Sequence, residues 1–183
     1  MSALLRRMVR ASLLDAETFE EVEADRSSLA QATLIVLCGS AAIGAARAWH
    51  GLHAGFTPER LAFQVALAAI EPLAIWIGGS AFTFMVGATF LRGPETQTDF
   101  AEVLRTTGFA FTPALLRGLV IVPPAVLGLS IDLLARAWTF AAVVVAIRQA
   151  LDFDTLRAIG TFGAAALLLW LVLWGASVAP LPF

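Results

Sequence analysis

The stretch "LAFQVALAAIEPLAIWIGGSAFTFMVGATFL", Leu61 to Leu91, contains one ionisable side chain, Glu71, and a proline, Pro72, directly follows it. A bilayer crossing needs roughly 20 consecutive apolar residues, so this run is long enough to span. Its reading turns on the depth of Glu71. Counted back from Arg92 as an inner anchor, twenty residues reach Pro72, about 30 Å of helix and the full hydrocarbon thickness. Glu71 then lies at the outer interface. Pro72 takes a first-turn helical position, where the missing N–H costs little, and Leu61 to Ile70 becomes a preceding interfacial or re-entrant segment. Counted forward from Arg60, Glu71 lies about 16 Å deep and the whole run is one tilted, kinked helix of about 46 Å. The first geometry is the expected one; a functional role for Glu71 inside the membrane requires the second.

The rest of the chain supports the membrane reading. Of 183 residues, 59% are hydrophobic and 14% charged, with a mean hydropathy of +0.83. Soluble domains run nearer half apolar and a quarter charged. The length argues for one domain. Every basic residue among the twelve is arginine, and the alanine and arginine richness suggests a GC-rich bacterial source. The net charge of −2, without a basic patch interleaved with aromatics, gives no sign of nucleic-acid binding. Cys38 has no internal disulfide partner and reads as a small buried hydrophobe. The opening "MSALLRRMVRASLLDAETF" lacks a long apolar core and a small-residue cleavage site, so it reads as mature chain.

An all-α fold with five membrane spans is expected. Residues 1–28 form a cytoplasmic segment and 29–183 the membrane domain, with spans at about 29–48, 61–91, 109–129, 137–151 and 162–178. Leu4, Leu5, Met8, Val9, Leu13 and Leu14 recur at helical spacing, with Arg6, Arg7 and Arg10 between them. That pattern suits an amphipathic helix on the cytoplasmic leaflet with its arginines toward anionic headgroups, or equally a helix packed on the protein's own surface. Ser27 and Ser28 are expected to cap the first span. Ser40 with Gly44, Ala41 with Ala45, and Gly79, Thr83 and Gly87 give the four-residue small spacing that lets membrane helices approach closely. Asp99 and Glu102 form a capping-box start for an interfacial helix, with Phe100, Val103, Leu104 and Phe111 on one stripe and Arg105 facing elsewhere. It leads into a third span kinked or interrupted by Pro113 and by Pro123-Pro124. Asp132 and Arg136 close a short turn, Trp138 marks an interface near the start of the fourth span, and Asp154 caps the fifth. With the N-terminus inside, eight arginines fall inside and three outside, which favours N-in and C-out.

"GFAFTPALL", Gly108 to Leu116, resembles the Gly-Tyr…Pro signature that opens the third span of the Yip-one domain family (Ypt-interacting-protein, YIPF-type), with Phe109 in the tyrosine position. "TDFAEVLRTT", "ARAWTFAAVVVAIRQALDFDTLRAIGTF" and "DAETFEEVEADRSS" are similar, in order, to other parts of that five-span plan, bacterial members included. The resemblance implies a bacterial inner-membrane protein that organises membranes or binds partners. Eukaryotic members contact small GTPases through a long N-terminal region. This chain's is short, which counts against that partner.

No G-x-S-x-G, H-E-x-x-H, phosphate-binding loop or paired-cysteine motif is present, so neither enzymatic activity nor a cofactor is expected. His50 and His53 could hold a metal at i, i+3, but nothing completes the ligand set and they read as interfacial. Ionisable residues inside a bilayer are paired or functional, which makes Glu71 and Arg117 the candidates, with Pro72, Pro113, Gly108 and Arg136 around them. Arg47 and Arg136 match the depth of Glu71 better than Arg117 does. The expected partners are membrane lipids, a second copy or another membrane protein. The alternative is a small proton-coupled transporter or lipid translocator using Glu71 and the broken third helix.

Overall fold

A computed structural model describes residues 2–93, 98–121 and 125–178. The described residues are all helical or connecting: α1 (Ala3–Ser12), α2 (Ala16–Ala24), α3 (Ser28–His53), α4 (Pro58–Met85), α5 (Phe100–Ala110), α6 (Ala125–Ala150) and α7 (Thr155–Val178). A π-helical turn, Val86–Phe90, extends α4, and a 3₁₀ segment, Thr112–Ile121, follows α5. Among the described residues, four helices are long and apolar enough to cross a membrane: Ser28–His53, Pro58–Phe90, Val126–Ala150 and Thr155–Gly175. Their outward faces carry large apolar side chains such as Leu34, Phe63, Leu133 and Leu171, as lipid-facing surface requires.

The second span corrects where its helix was expected to begin. Its helix starts at Pro58, not Pro72. Thr57 caps it by accepting from the Arg60 N–H, Pro58 fills the first turn and Glu59 adds an acid there. These start signals together outweigh a single proline fourteen residues on. Pro72 therefore lies inside the helix, where it removes the bond to the Ala68 carbonyl. Ala68 is fully buried and faces Gly44 of α3, so the helix is packed against its neighbour at the break. Gly55, at φ +68°, turns the chain from α3 into α4.

The expected third span is not one α-helix. The Asp99–Glu102 capping box starts α5 as anticipated. Pro113 then cannot donate to the Phe109 carbonyl, and the Thr112 hydroxyl donates to that oxygen instead at 2.7 Å. The chain continues as 3₁₀ helix to Ile121; Pro123-Pro124 lie outside the described residues. Asp132 and Arg136 close no turn, because α6 begins twelve residues before the expected fourth span and holds both on one face at i, i+4. Nor does Arg105 face away from the core: it is 5% exposed and donates to the Glu23 carbonyl.

Packing is tightest at the end where the N-terminal helices sit. Ala11, Phe19, Val22, Ala32, Val36 and Phe109 belong to one fully buried cluster. A Cβ on Gly108 would lie 2.6 Å from that of Ala32 and 3.2 Å from the Trp76 indole, so only glycine permits this three-way contact. Ser27 makes no side-chain cap bond to α3, contrary to expectation. Its hydroxyl and N–H donate to Asp25, and the Ser28 hydroxyl turns back to the Val22 carbonyl at 2.8 Å. Cys38 is exposed rather than buried, since it shares the lipid-facing stripe of α3 with Leu34 and Leu37.

Candidate functional site

Glu71, Pro72, Arg117 and Arg136 come together on one partly open cavity of about 370 Å³ lined by α3, α4, the α5–3₁₀ connection, α6 and α7. Its walls are mainly apolar: Val36, Ile75, Trp76, Phe111, Phe140 and Phe162 are among them. The Trp76 indole is fixed by donation to the Leu104 carbonyl at 3.0 Å, and Ser80 and Thr107 share a hydrogen bond at 2.8 Å. Gly108 is not a lining residue, but it gives the Trp76 ring its seat. Pro113 is buried beside Ala114, which lines the cavity, and sets the break that brings the following turn, with Arg117, to the wall.

The charged groups gather at the end of the cavity far from α1 and α2. Glu71 accepts from Arg47 at 2.5 Å, so its partner is Arg47 and not Arg117. Arg117 pairs with Asp132 at 2.7 Å, and Arg136 reaches the other oxygen of the same carboxylate at 2.6 Å. A second cavity of about 290 Å³, lined by Arg47, His50, Gln64, Arg117 and Asp132 among others, adjoins this cluster. The two cavities thus share Arg47 and Arg117. Sequence reasoning placed Asp132 in a turn and so missed it as the bridge between two arginines. Its i, i+4 spacing to Arg136, read as helical, was the available signal.

The residues expected at the opposite membrane face are engaged with the protein. Arg7 meets Glu21 and Asp25, each at 2.8 Å, and Gln31 at 3.2 Å. Arg10 meets Asp15 at 2.5 Å and Glu17 at 3.2 Å, and Arg6 lies 3.9 Å from Glu21. Leu4, Met8 and Ala11 turn into the core while Leu5, Val9 and Leu13 stay exposed. Of the two readings of α1, packing on the protein is therefore the one realised for its arginine face. Trp138 likewise donates its indole N–H to the Ser12 carbonyl at 2.6 Å. The Ser27 hydroxyl, and then Arg7, hold the Asp25 carboxyl below its usual range. Burial, with repulsion from Glu102 and Asp152, pushes the Glu23 carboxyl up to about 7. Among the described residues no group of three or more His, Cys, Asp or Glu could hold a metal. The His53 ring contacts the Trp49 carbonyl at 2.8 Å through Nδ1 and packs on the Trp49 ring.

With this arrangement in view, the family model described as the Yip1 domain matches residues 12–177. The chain belongs to the Yip1 domain family. The match covers α2 to α7, so the whole cavity lies within the Yip1 domain. No curated protein and no solved structure matches the chain. The Yip1 assignment and the four long apolar helices together make this a multi-pass membrane protein.

Proposed function

We propose that this Yip1-domain protein is a non-catalytic scaffold that organises membrane lipids or a protein partner in a bacterial inner membrane. The observation that carries the reading is the pairing of the cavity carboxylates: Glu71 is tied to Arg47 and Asp132 sits between Arg117 and Arg136. Carboxylates held this way fix helix positions, which suits a static binding frame. The proposed topology has five passages, with α5 and the 3₁₀ segment together making the third. Two contacts support it: Gly108 meets Ala32 and Gly118 meets Ala42, so this segment climbs alongside α3 in the same direction. With the N-terminus in the cytoplasm, the C-terminus is outside.

Solubilisation in mild detergent followed by affinity capture tests the scaffold. A retained lipid or protein partner, or a stable homo-oligomer, is the expected result. A bare monomer without lipid preference overturns it. A reporter fused after α7 is expected to be active on the outer side of the membrane; cytoplasmic activity refutes the five-passage topology.

A further inference from the structure

We infer that the two adjoining cavities hold one anionic phospholipid, with its phosphate among Arg47, Arg117 and Arg136 and one acyl chain running inward between the helices. This deepens the scaffold reading by naming an occupant, and it rests on that reading.

Charge is the first observation. The described charged side chains lining the two cavities, leaving histidine aside, are three guanidiniums and two carboxylates, Glu71 and Asp132. Asp132 is shared by two arginines, so the cluster keeps one positive charge in excess. An arginine in excess beside the headgroups attracts an anionic lipid. Arginine also presents a fork of donors that matches phosphate oxygens.

Depth is the second. Arg47 follows Ser28 by nineteen residues, about 28 Å along α3, close to the thickness of the hydrocarbon layer. The arginines therefore lie where headgroups lie, at the face opposite α1 and α2. Shape is the third. From Arg47 inward to Val36, both lining residues, the cavity extends about 16 Å along α3 and its walls become apolar. Its volume of about 370 Å³ is within the usual range for small-molecule sites, and the vestibule at the arginine end adds about 290 Å³. Gly39 and Gly79, on facing helices, both line the wall, and a Cβ on either would meet nothing within 4 Å. The space is thus left by the sequence, where a methyl group on either glycine would meet no clash.

Full-length protein in nanodiscs, or released from them into native mass spectrometry, decides the matter. With equal phosphatidylglycerol and phosphatidylethanolamine, one bound phosphatidylglycerol is expected, preferred by about fivefold for the single excess charge. Arg136→Gln leaves the Arg47–Glu71 and Arg117–Asp132 pairs intact and is expected to abolish the preference, while Arg136→Lys restores it. The double variant Gly39→Leu with Gly79→Leu fills the cavity and is expected to lose bound lipid of either kind while melting no lower than wild type. Retention of lipid by that folded double variant overturns the inference. So does equal binding of the two lipids, displacement of the lipid by millimolar inorganic phosphate, or a dimer that the double variant splits. A lipid-free protein that still captures a protein partner would refute this inference and leave the scaffold reading standing.

Discussion

The two ends of the molecule use the same chemistry to opposite effect. At the N-terminal end, Arg6, Arg7 and Arg10 face Asp15, Glu17, Glu21 and Asp25, so carboxylates outnumber arginines, and the packing beneath them is closed around Phe19 and Phe109. At the far end, Arg47, Arg117 and Arg136 face Glu71 and Asp132, arginines are in excess, and the helices part around a cavity. Ion pairs at the closed end fasten an amphipathic hairpin onto the bundle. Those at the open end fix the rim of a space. An arginine–carboxylate pair therefore does not reveal its role by itself; the sign of the leftover charge and the packing behind it do.

Five substitutions test that contrast. The largest effect is expected from Gly108→Leu at the closed end, where the new side chain would drive Ala32 and Trp76 apart. A loss of about 3 kcal/mol is expected, read as a drop in melting temperature in detergent. The matching change at the open end, Gly79→Leu, is expected to be neutral or stabilising; equal damage from both would erase the distinction. Next is Arg7→Ala, which strips Glu21, Asp25 and Gln31 of a side chain only 11% exposed. About 2 kcal/mol is expected, seen as faster hydrogen exchange and proteolysis confined to α1 and α2.

Glu23 gives a smaller, pH-dependent effect. Its carboxyl titrates at about 7 when folded, raised from 4.5 by burial and then by Glu102 and Asp152. The folded state thus binds the proton more tightly than the unfolded one. The associated stability is complete below pH 4.5 and is lost as pH rises through 7. Glu23→Gln should flatten that decline and stabilise the protein at pH 8 by about 1 kcal/mol, allowing for solvent screening of a half-buried group. A pH-independent gain would show that Glu23 is not the titrating group. The smallest change is expected from Glu71→Gln, whose carboxylate is half exposed: under about 1 kcal/mol, with no change in proton flux into proteoliposomes. Flux that falls with this substitution would turn the open end from a binding frame into a transport site.

Much of the fold could be read from residues, and what could not has identifiable physical causes. The α5 start was visible because a capping box is a local hydrogen-bond pattern. Pro113 was a visible breaker, but the Thr112 hydroxyl that lets the chain go on as 3₁₀ helix is a response that only the folded geometry reveals. Pro72 passes for a helix start because an apolar run gives no periodicity to say where its helix begins. Glu71 and Arg117 were identified as candidates by their depth. Their partners depend on helix rotation, which hydropathy does not encode, so Arg47 was weighed only as a depth match and Asp132 was passed over.

The docked N-terminal hairpin also sets an order of events. Its helices leave the ribosome well before the residues that fasten them are made. Arg105 follows Glu23 by 82 positions, Trp138 follows Ser12 by 126, and Gln149 follows Glu20 by 129. At 5 to 20 residues per second, α1 waits roughly 6 to 25 s for Trp138. During that interval Leu4 and Met8 lack the parts of their cluster that come later, Phe109 and Ala142 among them. The same helix thus completes its packing only once α6 has arrived.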